Sequence, residues 1–209
     1  MVTKAVIFDF WGTLVENGVH SPIKQVKNIL NIRLPFSEYV IRMEKAMMRQ
    51  EFATLKEAFI AVGKEFDIEC PDFILDELVG MWNKSWMLAE PYEETIQVLE
   101  DLQKKYKLVL LSNTDNFSAM KVIEKYNLDQ YFEKASLSCK TGMLKTNPES
   151  LRGIAESLNL QIDDCVMVGD SIQSDIKAAD SVGMKSILVD RRNSRDYSPK
   201  VRDLRDMEL

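Results

Sequence analysis

Short β-branched and aromatic runs alternate along most of this chain with stretches whose apolar residues recur every three or four positions. One long segment breaks the alternation. The first run, residues 5–8, reads as a buried strand that ends at Asp9 and a Gly12-Thr13 turn. From Ser21 to about Met87 the period is helical: Leu55, Phe59, Val62 and Phe66 share one face, and Ile74, Leu78 and Met81 another. Pro22, Pro35 and Pro71 fall near helix boundaries, so about four helices are expected, with a small apolar interior of their own.

From Pro91 onward helix and strand alternate. Residues 91–106 read as a helix with Pro91, Glu93 and Glu94 in its first turn, followed by a strand over 107–111. Runs at 135–137, 165–168 and 186–189 predict further strands, separated by helices over 117–126, 148–158 and 172–182. Such alternation argues for a parallel sheet covered on both faces. The first strand can join that sheet only if the helical segment is an insertion, because a lone strand is not stable. The expected fold is α/β: a doubly wound, Rossmann-like core over 1–15 and 91–209, with a helical cap over 16–90 inserted in it. The mixed-charge stretch 191–209 reads as surface segments closing the core.

Composition narrows the function. The 209 residues, 45% of them hydrophobic, suffice for a core with a sizeable insertion, and a formal net charge of -6 offers no basic field for a phosphate backbone. Nucleic acid is therefore not an expected partner. Apolar runs such as 108–111 are too short to span a bilayer, and the start of the chain, Met1 to Lys4, leads straight into a strand without the marks of a signal peptide. A cytoplasmic protein acting on a small molecule is expected, its oligomeric state left open. Cys70, Cys139 and Cys165 are far apart and lack zinc-site spacing, so they read as buried free thiols. With His20 the only histidine, the chemistry must rest mainly on carboxylates, Lys, Ser and Thr.

Four polar clusters lie at or after predicted strand ends: Asp9 to Thr13, Ser112-Asn113, Lys145, and Gly169-Asp170-Ser171 with Asp175. The carboxyl ends of parallel strands share one edge of the sheet, where ligands bind, so these clusters should converge on one crevice. Asp9, directly after a buried strand, suits a nucleophile if a cation and hydrogen-bond donors neutralise the charge gathering around it. Asp170 would share a hard divalent cation, Mg²⁺, with Asp9, while Asp175 binds through water or orients Lys145. Lys145 would supply a point charge, and Thr13, Ser112 and backbone N–H groups would serve as donors to a trigonal oxygen group such as a phosphoryl.

With these residues in place, the chain resembles the haloacid dehalogenase-like superfamily. The family's first motif, D-x-D-x-T, appears as Asp9-Phe10-Trp11-Gly12-Thr13; its second, a hydrophobic strand ending in Ser or Thr, as Leu110-Leu111-Ser112-Asn113. The third, a lone Lys, is Lys145, and the fourth, G-D-x-x-x-x-D, is Gly169-Asp170 through Asp175. The helical insertion sits where one class of the family carries its cap. The resemblance implies a covalent aspartyl mechanism at Asp9, with the Trp11 backbone carbonyl as a further metal ligand.

There are two departures. Thr146 replaces the Pro that commonly follows the motif Lys, and Trp11 stands where family phosphatases place an Asp that serves as general acid and base. That loss is worth about a hundred- to ten-thousand-fold in rate unless the leaving group needs no proton. Three readings follow: a Mg²⁺-dependent phosphatase whose acid comes from water, substrate or the cap; a 2-haloacid dehalogenase, which has an aromatic residue at that position and releases halide unprotonated; or a binding or regulatory protein that keeps the phosphate site with little turnover. The intact acidic fourth motif favours the first. Arg33, Arg42, Arg49, Trp82 and Trp86 are the candidate substrate selectors of the cap.

Overall fold

The structure, a computed structural model, describes residues 2–209; Met1, counted in the expected core, lies outside them. The chain forms β1 (Ala5–Phe8) and β2 (Val15–Glu16), then four helices, α1 (Pro22–Ile29), α2 (Phe36–Met47), α3 (Leu55–Glu65) and α4 (Asp72–Met87). It returns through β3 (Glu90–Pro91), α5 (Thr95–Leu102), β4 (Lys107–Ser112), α6 (Ala119–Lys125), β5 (Lys134–Leu137) and the single turn α7 (Ser138–Thr141). The last elements are α8 (Pro148–Ser157), β6 (Cys165–Gly169), α9 (Lys177–Val182), β7 (Lys185–Val189) and β8 (Lys200–Val201).

Six strands form one sheet in the order β5-β4-β1-β6-β7-β8, every neighbouring pair parallel. β1 lies between β4 and β6, with Phe8 opposite Leu110 on one side and Val168 on the other. The side-chain period of two divides each central strand between two cores. Val6, Phe8, Leu108, Leu110, Val166 and Val168 meet Val98 and Leu99 of α5 and Val122 of α6. Ala5, Ile7, Val109, Leu111, Cys165 and Met167 meet Leu151 and Ile154 of α8 and Ala178 of α9. Burial on both faces is why these strands read as continuous apolar runs. The expected doubly wound α/β fold is the fold observed.

The helices between β2 and β3 bury a third apolar cluster. Tyr39, Met43, Phe59, Val62, Leu78 and Trp82 form its interior, and Phe66, Ile74 and Met81 pack at its margin. Pro22 stands in the first turn of α1, and Pro35 and Pro71 directly precede α2 and α4. No helix among the described residues is long and apolar enough to cross a membrane.

Four expectations are corrected. Pro91 does not open a helix: Glu90–Pro91 pairs antiparallel with Val15–Glu16, where the chain enters and leaves the helical segment, and α5 begins only at Thr95. The Leu14 carbonyl accepts from the Tyr92 backbone N–H at 3.1 Å and the Thr95 hydroxyl at 2.8 Å, which ties the returning strand to the departing one. The helix expected over 172–182 opens with a π turn, Ile172–Ile176, before α9. The stretch 191–209 is more than surface: β8 adds a sixth strand, Leu204 is buried in the core, and Arg191 and Arg195 reach inward to the Thr13 and Asp170 carbonyls. Of the cysteines, Cys139 and Cys165 are buried, and burial pushes both thiols up to about 11, whereas Cys70 is only half-buried.

Candidate active site

The carboxyl edge of the sheet gathers the polar clusters. Asp9 follows β1, and its backbone N–H donates to the Val168 carbonyl at 2.9 Å, so the β1–β6 pairing continues to the point where its side chain enters the crevice. The chain then turns at Gly12, whose φ of +81° suits glycine, and a Cβ there would lie 2.6 Å from the Asp170 carboxylate. That close approach brings the first and fourth motifs together. Thr13 closes the turn, its hydroxyl donating to Asp9 Oδ2 at 3.2 Å.

Lys145 is buried between two acids. Its Nζ donates to Asp9 Oδ1 and, at 2.7 Å, to Asp175 Oδ1. The other Asp175 oxygen accepts from the Ser171 backbone N–H at 2.9 Å, so Asp175 holds Lys145 in place across the π turn. Gly169 permits this, since a Cβ there would sit 2.2 Å from the Asp175 carboxylate. Asn113 accepts from the Lys145 backbone N–H at 2.9 Å and donates to Glu44 of α2, also at 2.9 Å. The buried Ser112 hydroxyl has no hydrogen-bond partner among the described residues.

Oxygens of Asp9, Asp170 and Asp175 lie within 4.8 Å of one another. Burial pushes the Asp9 carboxyl up to about 6, with the Asp175 charge adding and Lys145 opposing. Burial pushes Asp170 up to about 7, reinforced by the charges of Asp9 and Asp175. Burial works against the charge on Lys145, but Asp175 and Asp9 outweigh it and hold the ammonium above its ordinary range. Lys145 and Arg195 thus face three acids in a confined space. With Asp175 spent on Lys145 and Ser171, Asp9 and Asp170 are the pair whose surplus charge fits a hard divalent cation.

A cavity of about 590 Å³ opens above this cluster. Asp9, Asp170 and Lys145 line its floor, and Ile23, Val40, Met48, Trp82 and Trp86 contribute apolar wall from the helical segment. Trp11 also lines it, half-buried, with its indole edge-on to Phe10 at 4.9 Å. Of the candidate selectors, Trp82 and Trp86 face the cavity and the three arginines do not. Arg33 is exposed, Arg42 pairs with Glu65 and lies over Phe66, and Arg49 donates to the Gly142 carbonyl.

Several cavity residues escaped the sequence reading. Asp115 is buried and accepts from the Phe117 and Ser118 backbones, the Ser118 hydroxyl and the Trp82 indole. Arg195 lines the cavity as well as donating to the Asp170 carbonyl. Glu44 carried one signal: Val40, Glu44 and Met48 follow at fourfold spacing, which puts an acid in an apolar stripe of α2.

A model of the family described as haloacid dehalogenase-like hydrolase matches residues 3–183. A glyceraldehyde 3-phosphate phosphatase of Pyrococcus furiosus is 24% identical over 88% of this chain and 79% of its own length. A 2-haloacid dehalogenase of Pseudomonas syringae aligns with a TM-score of 0.65 at 18% identity, over 97% of this chain and 95% of its own. An enzyme of Bacteroides thetaiotaomicron, in complex with magnesium and inorganic phosphate, aligns with a TM-score of 0.61 at 23% identity, over 94% and 98%. At those identities the two structures attest the fold alone, and a 2-haloacid dehalogenase is among the proteins that share it.

Proposed function

We propose, since this chain belongs to the haloacid dehalogenase-like hydrolases, that it is a divalent-cation-dependent phosphatase, using Mg²⁺ and acting on a small phosphate ester. The observation that carries this reading is the buried surplus of carboxylate at Asp9, Asp170 and Asp175 over Lys145 and Arg195. Displacing halide from carbon needs no divalent cation and leaves that surplus without a purpose. The curated relative from Pyrococcus supports the same side, as an enzyme named for a phosphate ester.

In this reading an Asp9 carboxylate oxygen attacks phosphorus, the bond to the ester oxygen breaks, and water then hydrolyses the phosphoaspartate. Lys145, the Ser112 hydroxyl and backbone N–H groups receive the phosphoryl oxygens, while Thr13 and Lys145 orient the nucleophile. Asn113 positions the Lys145 backbone, and Asp175 positions the ammonium. Asp9, Asp170 and the Trp11 carbonyl would hold the cation, which when bound neutralises the carboxylates and polarises the phosphoryl group. Residues 16–90 serve as the cap over the core of 1–15 and 91–209, excluding water from the crevice. The substrate is a small molecule, nucleic acid is not a partner, and the setting is cytoplasmic.

The aromatic residue at position 11, which suits a dehalogenase, is accounted for here by its packing on Phe10 and the core. An assay of phosphate esters and 2-haloacids with Mg²⁺ and with chelator tests the reading. Phosphate release that requires the metal is expected. Halide release in chelator would overturn it in favour of the dehalogenase, and phosphate binding without turnover would favour a regulatory protein.

A further inference from the structure

Among the described residues that line the cavity, four carry carboxylates: Asp9, Glu44, Asp115 and Asp170. Asp9 and Asp170 belong to the nucleophile and cation site, and Asp115 accepts four hydrogen bonds that tie Trp82 and the start of α6 to the loop after β4. Glu44 remains. It projects from α2, Oε2 accepts from Asn113 Nδ2 at 2.9 Å, and Oε1 has no hydrogen-bond partner among the described residues. Through Asn113, whose Oδ1 holds the Lys145 backbone, Glu44 is docked onto the loop that carries the catalytic ammonium.

We propose that Glu44 supplies the proton that Trp11 cannot. This rests on the phosphatase reading. As Asp9 attacks phosphorus and the bond to the ester oxygen breaks, the bond's electron pair stays on that oxygen, which takes the proton of the Glu44 carboxyl. In the second step the Glu44 carboxylate takes a proton from the attacking water, whose oxygen bonds to phosphorus as the bond to Asp9 breaks. Acid and base duties balance over the cycle.

Burial pushes the Glu44 carboxyl up to about 7, with the charges of Asp175 and Asp9 adding and Lys145 and Asn113 opposing. Arg195, and Lys24 from α1, are the other cations on the cavity wall. A carboxyl in that range is protonated in part at neutral pH and serves in both directions.

The test compares wild type and Glu44→Gln for kcat/KM on an alkyl phosphate and on p-nitrophenyl phosphate at saturating Mg²⁺. Gln keeps an oxygen for Asn113, so the docking is preserved while the proton is lost. The variant should lose about a hundredfold or more on the alkyl ester and less than about tenfold on the aryl ester, whose leaving group departs nearly unaided. The alkaline limb of the alkyl-ester pH profile should vanish with it. Equal losses on both esters, or none, would overturn the assignment. Should the variant not fold, wild type decides: kcat/KM for the alkyl ester must fall as pH rises through the Glu44 titration while the aryl ester does not follow, and parallel profiles overturn it. Absence of any Mg²⁺-dependent ester hydrolysis in wild type sinks the phosphatase reading and this inference together, whereas a failure confined to the comparison of esters sinks Glu44 alone.

Discussion

Lys145 donates to Asp175 at 2.7 Å while the same ammonium donates to Asp9, so one cation is shared by two acids that would otherwise repel each other. Breaking a buried pair is far costlier than its net worth, because the partner is left charged and unpaired. Lys145→Met should therefore destabilise the protein by about 3–5 kcal/mol near neutral pH in chelator. Mg²⁺ or mild acid should restore part of the loss, by neutralising the carboxylates in place of the lysine. Urea unfolding with and without the metal measures both effects, and a variant as stable as wild type in chelator would refute the ion-pair assignment.

Asp9→Asn should abolish turnover in a protein that still folds, because an amide cannot form the acyl phosphate. Asp170→Ala should remove the response to Mg²⁺ and most of the activity, since a hard ligand and its charge vanish together. Titration of Mg²⁺ against activity separates the two variants. An Asp170→Ala variant whose activity still rises on addition of Mg²⁺ as that of wild type does would show that the cation lies elsewhere.

Stability should fall with rising pH across the acid range. Asp9, Asp170 and Glu44 have their folded pKa raised, to about 6, 7 and 7, above ordinary values of 3.8, 3.8 and 4.5. Groups so shifted stabilise the fold fully below the ordinary value and lose that contribution as pH climbs through the folded one. In chelator the melting temperature should drop between about pH 4 and 7. Saturating Mg²⁺ should flatten the drop, and Glu44→Gln should remove a share of it. Calorimetry at several pH values reads this directly, and a melting temperature that rises through that window would contradict it.

Trp11→Asp restores an acid two residues after Asp9, and its clearest effect is expected in the Glu44→Gln background. There it should recover about tenfold or more on alkyl phosphates, with little change on aryl esters. The indole packs on Phe10 and the core, so truncation costs up to about 3 kcal/mol and folding must be checked by unfolding before rates are compared. A folded double variant with no gain on alkyl esters would mean that proton donation does not limit those substrates.

Much of the core was legible in the sequence. Runs such as Ala5–Phe8 and Cys165–Gly169 are apolar on both faces, which local pattern states plainly, and the polar residues that follow them mark the carboxyl ends of strands. Parallel topology then brings Asp9, Lys145, Asp170 and Asp175 together without any knowledge of packing, because all such ends lie on one edge. What the pattern could not state were relations between elements. Pro91 looked like a helix start because its fixed φ suits one, yet it pairs with Val15 where the two crossings of the insertion run side by side. Arg195 and β8 lie in a stretch without hydrophobic period, and are placed by the open edge of β7 and the Asp170 carbonyl. Glu44 meets Asn113 across 69 positions. The period of α2 fixes which residues share its inner face, but only the packing of the helical segment against the sheet edge decides that this face looks into the crevice, since helix propensity and amphipathicity are blind to what lies opposite.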